Sequence, residues 1–167
     1  MKQLIYALFF CLFALPLVSG CDKVDDDFFQ GKTWYIVGLY EGSKNNVLMQ
    51  LDKDNKPSTP LSTLWVNNVL KGKEACYYIQ FKDNNSCVIK TDRHTWQGTF
   101  KYDLSSRQVS ISLPGAAVSN ELETKILSAL KDVQEYSGNN SYMRFVCKSG
   151  DFIALDPSPD GRILLEK

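Results

Sequence analysis

Two kinds of hydrophobic pattern run along this chain. From Leu4 to Leu17 the sequence is an apolar block, interrupted by Tyr6, Cys11 and Pro16 and preceded by Lys2. Further on, apolar and polar residues alternate. Trp96, Gly98, Phe100 and Tyr102 interleave with Thr95, Gln97, Thr99 and Lys101, and Val109, Ile111 and Leu113 interleave with Gln108, Ser110 and Ser112. A period of two predicts antiparallel strands with one wet face. Strands are predicted over residues 33–42, 46–52, 75–81, 86–91, 95–102, 107–113, 141–147, 151–155 and 162–166, the middle ones forming a meander. Two stretches instead have helical spacing. Thr59-Pro60 reads as a cap followed by a first-turn proline, with Leu61, Leu64, Trp65 and Val69 on one face. Asn120 caps a longer helix, with Glu123 three residues on in the capping-box position. Its stripe is Leu122, Ile126, Leu127, Leu130 and Val133. Covering that stripe is worth about 1.5–3 kcal/mol per large side chain fully buried, so the helix is expected to pack on the sheet. The predicted class is α+β, mostly β: a bent antiparallel sheet or partly open barrel with one main packed helix.

Composition narrows the picture. A hydrophobic content of 44% suffices for one core, and the length fits one domain after an export segment. The 19 basic and 19 acidic residues balance, so no nucleic-acid footprint is expected. The N-terminal block is shorter than the roughly 20 apolar residues of a spanning helix, and no later stretch is long enough. Of five cysteines, Cys11 lies in the block and Cys21 just beyond it. If Asn84-Asn85 makes a two-residue turn, Cys87 faces Lys82 and Cys76 faces Arg93, which argues against a bridge between those two cysteines. The preferred reading is that Cys76, Cys87 and Cys147 are three buried thiols.

Residues Leu17-Val18-Ser19-Gly20-Cys21 resemble the lipobox of bacterial lipoproteins. That resemblance implies cleavage after Gly20 and acylation of Cys21. The domains are then 1–20 signal peptide, 21–30 acidic tether and 31–167 a single β-rich domain. Diacylglyceryl and N-acyl chains together would meet the two-signal requirement for stable anchoring. The tether, Asp22-Lys23-Val24-Asp25-Asp26-Asp27, resembles the acidic export signal of some Gram-negative outer-membrane lipoproteins, and an aspartate in its position also resembles an inner-membrane retention signal. Outer-membrane placement in a bacterial envelope is favoured. A second resemblance concerns the domain. Thr95-Trp96-Gln97-Gly98-Thr99-Phe100-Lys101-Tyr102, Val109-Ser110-Ile111, the spacing Leu127-x-x-Leu130-x-x-Val133-x-x-Tyr136 and Gly31-x-Thr33-Trp34 are similar to the META domain of HslJ-like lipoproteins, although that family's Gly-Cys-Asn signature is absent. Calycin (lipocalin-like) barrels also begin with a Gly-x-Trp strand, which the opening Gly31-x-Thr33-Trp34 strand resembles.

Candidate chemistry is sparse. His94 is the lone histidine and has no ligand pair at zinc-site spacing. Neither a Gly-x-Ser-x-Gly elbow nor a phosphate loop is present. Asp52, Asp54 and Asn55 lack the glycine and distal glutamate of a calcium loop. No catalytic residue, metal or cofactor is expected. A thiol acting with His94 is the least favoured alternative. Trp34, Trp65, Tyr78, Trp96 and Tyr102 are read mainly as core, and as candidate pocket-lining residues if the barrel is open. The expected function is a non-enzymatic binding or structural-accessory module held at the membrane through lipid on Cys21, its partner a protein or a small apolar ligand. The alternative is a carrier of a small apolar ligand.

Overall fold

The computed structural model describes residues 28–42, 45–70 and 77–158. Cys21, Cys76 and the predicted strand 162–166 lie outside the described residues. Nine strands form one antiparallel sheet: β1 (Thr33–Glu41), β2 (Asn45–Asn46), β3 (Tyr78–Phe81), β4 (Ser86–Lys90), β5 (Thr95–Asp103), β6 (Gln108–Ser112), β7 (Val133–Asn139), β8 (Tyr142–Cys147) and β9 (Phe152–Asp156). Their order runs β2–β1–β3 and then consecutively to β9, which pairs back onto β1. Eight strands therefore close a barrel, with β2 as an extra strand on β1. This corrects the expectation of a bent sheet or partly open barrel. Strand β1 makes closure possible: residues 33–35 pair with β3 and residues 35–40 with β9. A register shift between Ile36 and Gly38 bends it between the two partners. Closure leaves few free strand edges.

The alternating segments fold as their pattern dictates. Trp96, Phe100, Val109, Ile111 and Leu113 are buried, and Tyr102 packs against the same core. Two helices supplement the barrel, α1 (Pro60–Trp65) and α2 (Glu121–Asp132). On α1, Thr59 and Ser62 form a reciprocal capping box, and Pro60 opens the helix. A π turn over Val66–Leu70 follows. The stripe residues Leu122, Ile126, Leu127 and Leu130 of α2 are all buried in the core.

Three local expectations are corrected. The strand predicted over residues 46–52 shrinks to β2 and a 3-10 turn, Val47–Met49. Asn46 Oδ1 accepts the Leu48 N–H at 3.2 Å, turning the chain so that the consecutive residues Val47 and Leu48 are both buried. In the β3–β4 hairpin, Phe81 faces Cys87 rather than Lys82 facing it. Asn85 takes a left-handed conformation (φ 58°), and the turn is one residue longer than read. Finally, α2 stops at Asp132 and β7 begins at Val133 with no loop. Lys148 N–H caps the Asp132 carbonyl at 3.0 Å, and Val133 pairs with Cys147. Val133 and Tyr136 still reach the core, but from a strand.

One end of the barrel is filled by a cluster of rings around Phe29, which is fully buried. Its ring centroid lies 5.1 Å from Phe81, 5.8 Å from Phe100, 4.7 Å from Tyr102, 4.9 Å from Tyr136 and 6.3 Å from Phe145. Aromatic pairs at such separations add about 0.5–1.5 kcal/mol each beyond their area burial. Phe28 and Phe29, inside the segment 21–30 read as tether, thus belong to the body of the domain.

Candidate functional site

Antiparallel strands alternate direction, so the barrel has two unlike ends. Phe28 and Phe29 lie with the β3–β4 and β5–β6 turns at one end. The β4–β5 turn, the chain entering α2 and the β8–β9 turn gather at the other. The densest polar cluster is at this second end, and it is built from two turns. Thr91, the first residue after β4, donates its hydroxyl to Glu123 Oε1 at 2.5 Å and accepts the His94 N–H at 2.8 Å. That places His94 over the start of α2. Its Nδ1 lies 2.8 Å and 3.0 Å from the two oxygens of Glu123. Ser119, two residues before α2, donates its backbone N–H to Glu123 Oε2 at 2.6 Å. Its hydroxyl stands 3.4 Å from His94 Nε2.

Glu123 is the anchor. Its side chain is 0% exposed, while that of His94 is 28% exposed and Ser119 is at the surface. Burial pushes the Glu123 carboxyl toward protonation, but the hydrogen bonds from Thr91, His94 and Ser119 outweigh it and hold its pKa below the ordinary value. Glu123 does not return to the cap's own N–H as the capping-box reading expected. Asn120 Oδ1 accepts the Glu123 N–H at 2.8 Å, but the carboxylate reaches past the cap to Ser119 and His94. Ionised Glu123 can only accept, so His94 Nδ1 carries a proton toward it; in the neutral ring Nε2 is then the acceptor that faces Ser119. Sequence reasoning found His94 and Glu123 separately and missed Ser119. No spacing rule links residues brought together by a hairpin turn and a helix start.

The candidate pocket residues have varied fates. Trp34, Trp65 and Trp96 are 1%, 0% and 3% exposed. The indoles of Trp34 and Trp96 donate to the carbonyls of Phe28 (2.8 Å) and Ala117 (2.7 Å). Tyr78 is half-buried and packs edge-on against Tyr35 at 5.8 Å. Tyr102 stacks on Phe100 at 5.7 Å and borders an open depression of about 460 Å³ along β5, β6 and β7. A second depression, about 380 Å³, lies between α2 and the β8–β9 turn, with Lys125 bonded to Glu41 at 2.7 Å beside Asp132 and Asp151. Both are lined mainly by polar and charged side chains.

Cys87 and Cys147 are free, buried thiols. Burial pushes Cys87 up to about 11. Burial and then the carboxylates of Asp132 and Asp151 push Cys147 up to about 12. Neither forms appreciable thiolate near neutral pH, and the thiolate is the nucleophile. Among the described residues, no three His, Cys, Asp or Glu side chains are grouped to hold a metal. Nor is any described helix long and apolar enough to cross a membrane.

The fold has solved counterparts. A DUF4847 family protein from Bacteroides vulgatus ATCC 8482 superposes with a TM-score of 0.62 at 17% identity, over 79% of this chain and 96% of that one. A protein from Burkholderia xenovorans, solved by NMR, superposes with a TM-score of 0.54 at 12% identity, over 78% of this chain and 83% of that one. At these identities the likeness concerns the fold alone. No curated protein matches the sequence. The META/HslJ and calycin resemblances are overturned, because the family model that matches, over residues 22–154, is DUF4847, a domain of unknown function. The spacing that suggested META, Leu127 to Tyr136, crosses a helix–strand junction instead of forming one helix. The chain belongs to the DUF4847 family.

Proposed function

We propose that this chain is an envelope lipoprotein, anchored through Cys21, whose barrel serves as a binding or structural-accessory module that meets a protein partner on its outer surface. In this reading, neither the barrel interior nor its thiols have a catalytic role. The observation that carries it is the filled interior: Phe29, Phe81, Phe100 and Phe145 occupy the space that a carrier would reserve for its ligand. Close-packed interiors leave few voids larger than a water molecule. The anchor also orients the barrel. Extended chain covers at most about 3.3–3.6 Å per residue, so Phe28 stands within roughly 25 Å of the acylated cysteine. The Phe29 end then faces the outer membrane, and the His94 end faces away.

Two measurements test this reading. Radiolabelled palmitate should enter the protein and be lost in Cys21→Ser, together with membrane association; label persisting in that variant would refute the anchor. Native mass spectrometry of protein released from its own envelope should show the chain plus its acyl groups. A retained apolar small molecule would instead favour the carrier.

A further inference from the structure

We propose that Ser119 is an activated nucleophile that takes the acyl group of unhindered, activated carboxylic esters, with His94 as its base and Glu123 as the residue that positions the imidazole. This goes beyond the reading of the barrel as a surface module and departs from the expectation that the chain has no catalytic residue. Nucleophile–base–carboxylate sets are recognised by geometry and not by order in the chain. Here the geometry is continuous. Ser119 Oγ lies 3.4 Å from His94 Nε2, and His94 Nδ1 lies 2.8 Å from Glu123 Oε1. Such bonds are often loose before substrate arrives. The carboxylate is fully buried and held by two further donors, the Thr91 hydroxyl and the Ser119 amide. Its acidity below the ordinary value keeps it ionised opposite the imidazole. Ser119 itself is exposed, so an ester can reach it. Beside it, Asn120 Nδ2 is a buried donor with no hydrogen-bond partner among the described residues.

The step balances with water as the only co-reactant. Ser119 Oγ bonds to the ester carbonyl carbon as its proton passes to His94 Nε2. The intermediate collapses, the C–O bond to the leaving group breaks, and the alcohol departs with the proton from His94. Water, deprotonated by His94, then releases the acid and restores Ser119. Neither of the two depressions described above is lined by Ser119, His94 or Glu123. Little binding energy is therefore on hand, and the class is limited to small esters with good leaving groups.

The test pairs a fluorophosphonate probe with p-nitrophenyl acetate, using Ser105 as an internal reference. Ser105 is an exposed turn serine bonded to Asp103 at 2.6 Å, with no imidazole in the contact. A positioned base contributes about 10²–10⁴-fold, so Ser119 should form the O–P adduct, with loss of fluoride, at least about a hundredfold faster than Ser105. In Ser119→Ala, p-nitrophenyl acetate turnover should fall to background while the melting temperature holds, because the hydroxyl is exposed and the backbone bond to Glu123 remains. His94→Gln and Glu123→Gln, checked for a folded state by circular dichroism, should lower the Ser119 rate and leave the Ser105 rate unchanged. Equal adduct rates at Ser119 and Ser105 overturn the proposal, as does turnover that survives Ser119→Ala.

Discussion

Phe29 sits where five other rings converge, and it shows what a single residue can hide from a sequence reading. The acidic run before it places residues 21–30 in a tether, and only the pairing of β1 with its neighbours brings Phe29 inside. Truncating it in Phe29→Ala should cost about 3–5 kcal/mol, read as a lower urea midpoint with an unchanged slope. A loss under about 1 kcal/mol would mean that the ring is peripheral. Glu123 gives a second test. Its carboxyl is held more acidic in the folded chain than in the unfolded one. Its contribution is therefore complete above about pH 4.3, the usual value for a free glutamate. It drains away as pH falls through the lower, folded value. Between pH 5 and pH 3, the stability of Glu123→Gln should fall less steeply than that of the unaltered chain. Parallel curves would show that the carboxylate is not the group being titrated. The capping position of Glu123 was legible from its distance to Asn120, but its true partners were not, because Thr91 and His94 come from another element.

At the scale of elements, period two was the dependable signal. Strands β5 and β6 fold as their alternation requires, since a one-residue slip would turn every apolar side chain outward. Within β5, Gly98 carries a constraint that alternation does not reveal. A Cβ there would lie 2.2 Å from the Ser112 carbonyl oxygen and 2.6 Å from Leu113 Cδ2. Gly98→Ala should therefore destabilise the barrel by about 1–3 kcal/mol, measurable as a lower thermal midpoint; an unchanged midpoint would show that the β5–β6 pair can yield there. Spacing of three proved less reliable. Leu127, Leu130, Val133 and Tyr136 suit one helix face, yet the chain changes from helix to strand between the second and third. The pattern could not show this, because β8 imposes the change by pairing with Val133 through Asn139.

Across the whole molecule, the mostly β class and the packed helix were readable, but closure was not. Closure rests on β1 meeting β9, whose residues Tyr40 and Phe152 pair although they come from opposite ends of the described chain. Tyr40 and Phe152 stack at 4.3 Å on that seam, with Arg144 over the Phe152 ring at 4.2 Å. Such pairings depend on register and bend, which composition does not encode. Under the proposed function, closure and ring packing together leave the outer surface and the far end of the barrel to act. The most direct measurement is titration of the purified domain with a fluorescent fatty acid, with Phe29→Ala alongside. The account predicts no saturable binding to the unaltered chain and new binding to the variant, whose missing ring leaves an apolar cavity. Saturable micromolar binding to the unaltered chain would contradict it.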